Sequence, residues 1–188
     1  MDREKIEQGV RLILEGIGED VGREGLMDTP RRVAEMCSEI FDGLGSDPLE
    51  KLKLYSTKNE DELILVKDIS FHSICEHHLL PFFGNVHIAY VPAKDRITGF
   101  SHLVRVVDIF SHRPQLQERL TTDIADALVE VLRPRGVLVV IEAEQMCLTM
   151  RGIKKPGILT MTSAMRGILR QEATRMEAFS MIMGKARL

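Results

Sequence analysis

The densest run of chemistry-bearing side chains is Cys75-Glu76-His77-His78, one thiol, one carboxylate and two imidazoles in a chain with three Cys and six His. A cysteine followed by a histidine three residues on can clasp a zinc ion. Cys147, in Glu142-Ala143-Glu144-Gln145-Met146-Cys147, is placed to add a third ligand from a distant stretch. Cys37 falls on the apolar stripe of a helix and reads as core. Cys75, His77 or His78, and Cys147 therefore make a three-ligand set with no further cysteine to close a structural site. Three ligands and an open position are the catalytic pattern, suited to activating water near neutral pH for attack on an electrophilic carbon.

Arginines form the second theme: Arg31, Arg32, Arg105, Arg113, Arg119, Arg151 and Arg166. Guanidinium forks match phosphate oxygens, although most arginines of any chain are simply solvated. If the strand leading to Cys147 persists, Gln145, Cys147, Thr149 and Arg151 share one face of it.

These groups need elements to hold them. Ile6, Val10, Ile13 and Ile17 recur at helical spacing, and Thr29-Pro30 opens a second helix whose apolar face is Val33, Met36, Cys37, Ile40 and Phe41. Leu44 to Asp61 is polar and aperiodic and reads as a linker. Beyond it, Glu62 to Lys67 and Val86 to Val91 read as strands, with the Cys75 cluster between them. Ser101 to Ser111, and Leu116, Leu120, Ile124, Leu128 and Val131, give two helices that would cover a sheet. Val137, Val139, Ile141 and Ala143 alternate with Leu138, Val140, Glu142 and Glu144, which predicts a strand buried on one face. Gly157 to Ser163 reads as a further strand. Met176, Phe179 and Met183 mark the stripe of a closing helix. A helical region, 1–60, is thus expected to precede an α+β domain, 61–188.

Composition narrows the function classes. The 188 residues suit one domain with a helical appendage, and 25 Lys plus Arg against 28 Asp plus Glu leave a formal charge of −3, with no basic excess for nucleic acid. The longest apolar stretch, around Val137 to Ile141, is far too short to span a membrane. An odd cysteine count argues against a disulfide framework and for a reducing, cytoplasmic setting.

Taken with Gly99-Phe100-Ser101, Arg113-Pro114-Gln115-Leu116-Gln117-Glu118-Arg119, and Met146-Cys147 through Met150-Arg151-Gly152, the Cys75 cluster resembles the GTP cyclohydrolase I family. Arg23-Glu24-Gly25-Leu26 and Asp28-Thr29-Pro30-Arg31-Arg32-Val33 resemble that family's helical front. The resemblance implies the tunnelling fold, an antiparallel sheet backed by two helices, and a homodecamer of two pentamers with sites between subunits. It implies a Zn2+ enzyme that opens the imidazole ring of GTP at C8, releases formate and rearranges the product to dihydroneopterin triphosphate. Residue by residue, it makes Cys75, His78 and Cys147 the zinc ligands and His77 a proton-transfer residue. Glu118, supported by Gln117, would grip the guanine edge, and Ser101, Arg105, Arg151 and Arg32 would hold the triphosphate.

Two positions depart from the family pattern. Gln145 stands where the family has a second active-site histidine, and His102 where it has lysine. Glutamine keeps hydrogen-bonding capacity but cannot titrate, and histidine carries only part of a charge at neutral pH. A variant that stalls at the ring-opened formamidopyrimidine nucleotide, or takes another purine nucleotide, is therefore one competing expectation. A catalytically silent purine-nucleotide-binding relative is another.

Overall fold

The computed structural model describes residues 1–56, 62–93 and 96–184. Contacts divide the chain into two compact units, Met1–Asp42 and Gly43–Leu188. The boundary expected at residue 60 lies outside the described residues.

The first unit pairs α1 (Arg3–Gly16) with α2 (Thr29–Ile40). Asp2 caps α1 by accepting from the Lys5 backbone N–H, and Pro30 sits in the first turn of α2, where no intrahelical donor is needed. The α2 stripe is only partly covered: Ala34 is buried, Cys37 is half-buried and Met36 is exposed. Cys37 is thus a stripe residue but not a core residue, because a two-helix unit has too little mass to enclose it.

The second unit is built on a five-stranded sheet in the order β5-β2-β3-β6-β7. Its members are β2 (Ile64–Cys75), β3 (Pro81–Val91), β5 (Pro114–Gln115), β6 (Gly136–Gln145) and β7 (Leu159–Gly167). The four long strands pair antiparallel, whereas the short β5 runs parallel to the end of β2, so the sheet is mixed. A separate two-stranded ribbon joins β1 (Leu54–Tyr55) to β4 (Ile97–Thr98), which gives structure to part of the stretch expected as linker.

Two helices, α3 (Phe100–Ser111) and α4 (Gln117–Leu132), cover one face of the sheet. Leu103, Val106 and Val107 from α3, and Leu120, Ile124 and Leu128 from α4, meet Val86, Ile88, Val139 and Ile141 in the main core. The other face is covered by α6 (Glu172–Met183), which joins Ala89, Leu138, Val140 and Leu169 in a second cluster. Strand β6 is consequently buried on both faces up to Ile141, not on one as its alternation predicts. The α6 stripe is also displaced: Ala178 and Ile182 are buried, while Met176 and Met183 are exposed. Among the described residues no helix is long and apolar enough to cross a membrane.

Candidate active site

Strands β2 and β3 are longer than expected, and the added length places the chemistry. Along β2, Ile69, Phe71, Ser73 and Cys75 turn inward while Asp68, Ser70 and His72 face out, so the strand runs on to the cysteine. The chain then reverses through Cys75–Leu80, closed by the Cys75 N–H donating to Leu80 O (2.8 Å) and the Leu79 N–H to Cys75 O (2.9 Å). Leu79 takes the left-handed conformation (φ 52°) that this reversal requires. His77 and His78 ride exposed on the turn.

Sheet register brings in the distant cysteine. Ser73 lies opposite Phe82, and Phe82 opposite Gln145, forming one row across three strands. Strands β2 and β6 both flank β3 antiparallel and so share a direction, which sets Cys75 and Cys147 two positions beyond that row at the same end. Immediately after Gln145 the strand gives way to a helical turn, α5 (Met146–Thr149). The shared strand face expected for Gln145, Cys147, Thr149 and Arg151 is therefore absent, because helical backbone replaces the period-two alternation. Instead α5 turns the Cys147 thiol back toward Cys75.

The Cys75, His78 and Cys147 ligand atoms all lie within 4.8 Å of one another, the group able to hold a metal ion that occurs among the described residues. Ligands at about 2.0–2.3 Å from a shared ion are reached from this spacing by small side-chain rotations, so the donor set fits zinc. The Cys147 thiol is pushed up from its ordinary pKa, first by burial and then by the neighbouring Cys75. Arg151 Nη1 lies against His78 Nε2, and His78 Nδ1 is on the side of Cys75 Sγ, 4.0 Å away.

These groups open on a cavity of about 630 Å³ lined by Cys75, His77, Gln117, Glu118, Gln145 and Cys147, among others. Glu118 is exposed in the first turn of α4. Gln117 beside it is buried: its Nε2 donates to the backbone oxygens of Ile141 (3.0 Å) and Thr160 (3.1 Å). Gln145 Nε2 donates to Gln117 Oε1 at 2.8 Å.

The expected phosphate-binding residues are more dispersed. Ser101, His102 and Arg105 sit at the start of α3 and do not line the cavity. His102 Nδ1 accepts from the Lys53 backbone N–H (3.3 Å), and its ring stacks on Tyr55 with centroids 6.2 Å apart. Arg32 belongs to the first unit, exposed on α2 with Nη2 3.5 Å from Asp28. Sequence reasoning passed over Thr160 and Thr162, which line the cavity from β7 and carry no motif of their own.

The family model described as GTP cyclohydrolase I matches residues 6–183. The chain belongs to the GTP cyclohydrolase I family. The protein named GTP cyclohydrolase 1 from Carboxydothermus hydrogenoformans is 62% identical over 183 residues, covering 97% of this chain and 95% of that protein. Its namesake from Bacillus subtilis is 56% identical over 173 residues, covering 92% and 91%. As a GTP cyclohydrolase I family member the chain is an enzyme, and its architecture is α+β, with a mixed, mainly antiparallel sheet backed on one face by α3 and α4.

Proposed function

We propose that the protein is a zinc-dependent GTP cyclohydrolase I that opens the imidazole ring of GTP at C8, releases formate and forms dihydroneopterin triphosphate. The observation that carries this reading is the grouping of Cys75, His78 and Cys147 at a cavity that Cys75 and Cys147 line together with His77 and Glu118. Zinc held by Cys75, His78 and Cys147 supplies Lewis-acid activation of water near neutral pH.

The chain's own residues do the rest. Glu118, a carboxylate at the cavity wall, accepts two N–H groups from the guanine edge in a fork. His77, exposed on the turn beside the ligand residues, exchanges a proton with the opening imidazole ring. Gln145 orients substrate and water without exchanging protons. Arg105 and Arg151, with Ser101 and His102, hold the triphosphate, and this local positive charge serves a chain that is slightly acidic overall.

The α3 residues reach a nucleotide in this cavity most simply if a second copy supplies them. Exposed Met161, which lines the cavity, and exposed Met150, Ile153 and Leu159, which flank the cavity-lining Leu148 and Thr160 in sequence, support a homo-oligomer with sites between subunits, for which the decamer is our expectation. Free thiols and the cysteine count fit a cytoplasmic setting.

Incubation of the zinc-loaded protein with GTP under reducing conditions should yield formate and a pterin that fluoresces after oxidation. Bound but unchanged GTP would contradict the reading. Gln145 favours a second reading, in which the ring opens but the formamidopyrimidine nucleotide accumulates because a proton-transfer group is missing. Mass analysis separates the two by whether formate leaves.

A further inference from the structure

The hydrogen bonds around Gln117 leave no freedom in how its amide is oriented. Its Nε2 lies 3.0 Å from Ile141 O and 3.1 Å from Thr160 O, two carbonyls that can only accept. Turning the amide over would set its oxygen against both, so each hydrogen of Nε2 is spent on backbone. Its Oε1 then receives the Thr160 hydroxyl at 2.6 Å and Gln145 Nε2 at 2.8 Å. A side chain 4% exposed, with both hydrogens given and its oxygen doubly occupied, has nothing left to offer a purine.

The constraint passes on to Gln145. Gln117 presents only an acceptor, so Gln145 must answer with its amide nitrogen, and its carbonyl oxygen is held at the opposite end. Gln145 lines the cavity with Cys75, His77 and Cys147. We infer that Gln117 is a positioning residue that acts through Gln145, fixing the Gln145 carbonyl as a hydrogen-bond acceptor for a hydroxyl of the bound nucleotide or the attacking water, and that Gln117 does not itself touch the base. Base recognition through this stretch then falls to Glu118 alone. The assignment rests on the proposed reading of the cavity as the GTP site.

A double-mutant cycle tests it, using the full-length zinc-loaded protein with GTP. The variants are Gln117→Met, Gln145→Met and the pair, read as GTP consumption and, by calorimetry, as GTP affinity. Gln145→Met is expected to lower kcat about tenfold with KM within about twofold, as loss of a supporting partner does. Gln117→Met should do the same, and the double variant should be no worse than the more impaired single. An equal rise in KM or Kd on removing Gln117, whether residue 145 is Gln or Met, would make Gln117 a base contact and overturn the inference. Thr160→Val, which removes one partner of Gln117 Oε1 and keeps both backbone bonds, carries the same cycle if Gln117→Met does not fold. It should impair kcat only while Gln145 is present. If the parent protein binds GTP without consuming it, the ring-opening reading fails while affinity still decides this one: an unchanged Kd in Gln117→Met, or a rise seen only while residue 145 is Gln, supports it, and an equal rise with either residue at 145 refutes it. A protein that neither binds nor consumes GTP overturns both.

Discussion

Arg119 grips Glu76 through two parallel hydrogen bonds, Nη1 to Oε2 and Nη2 to Oε1, each 2.7 Å long. The pair joins the turn that carries Cys75, His77 and His78 to the first turn of α4, which carries Gln117 and Glu118. The Glu76 N–H adds a third tie by donating to Gln115 O at 3.1 Å. A two-pronged contact fixes direction as well as distance, which a single ammonium cannot do. Arg119→Lys, keeping the charge and losing the fork, should therefore lower kcat/KM for GTP about tenfold with bound metal retained, since supporting partners of metal sites typically contribute 10–100-fold. Steady-state kinetics with metal analysis on the same preparation decides it; unchanged kinetics would mean the pair is only surface charge.

The same pair has a pH signature. The Arg119 hydrogen bonds hold the Glu76 carboxyl below its ordinary pKa. A lowered folded-state value means the stabilisation is complete at neutral pH and disappears as pH falls through that value. Melting temperatures of the parent and of Glu76→Gln should differ at neutral pH and converge under acid conditions. A gap that persists or widens in acid would contradict the ion-pair account.

Metal content is a direct check on the ligand set. The parent protein should carry about one zinc ion per chain, and Cys147→Ser or Cys75→Ser should lose most of it, because a three-ligand site reduced to two holds zinc poorly. His77→Ala, altering the neighbouring imidazole, should retain the metal. Elemental analysis after dialysis reads all three, and metal loss from His77→Ala would reassign the histidine ligand.

Gly84 lies in β3 against β6, where an added Cβ would sit 2.0 Å from Glu142 O and 2.8 Å from Ala143 Cα. Both obstacles are backbone and cannot swing aside. Gly84→Ala should pry the two strands apart and lower the melting temperature by about 10 °C or prevent folding, consistent with overpacking costs of about 1–3 kcal/mol or more. A normal melting curve would show that the strands can separate at little cost.

Gln145→His should restore a titratable group at the cavity wall. If proton transfer limits the parent enzyme, pterin formation should rise by about 10²-fold or more. The readout is the ratio of pterin to ring-opened nucleotide, and an unchanged ratio would place the limiting step elsewhere.

Much of this was legible from residue patterns. The α4 stripe at Leu120, Ile124 and Leu128 needed only local periodicity, and the pairing of Cys75 with a histidine of the following turn needed only spacing, which left His77 and His78 as alternatives. What escaped was set by tertiary covering. The second apolar face of β6 could be recognised only with α6 in place, and the α6 stripe itself settled on Ala178 and Ile182 because small and branched side chains fit closely against the sheet. The helical turn at Met146–Thr149 was hidden by the strand-like sequence before it. The hydrogen-bonded triad of Gln117, Gln145 and Thr160 had no sequence signal, since its members come from α4, β6 and β7 and only folding makes them neighbours.

That dispersal bears on how the chain becomes competent. The cavity draws on residues 75–82, 115–118, 145–148 and 160–162, and its Gln117 prop needs the Thr160 carbonyl on the last strand of the sheet. Loop closure over such separations is slow compared with helix formation. During synthesis, α4 and the β2–β3 hairpin can form well before β7 has emerged, but they enclose no finished site. Affinity for nucleotide should therefore arrive in one late step, leaving nascent or truncated chains unable to sequester GTP.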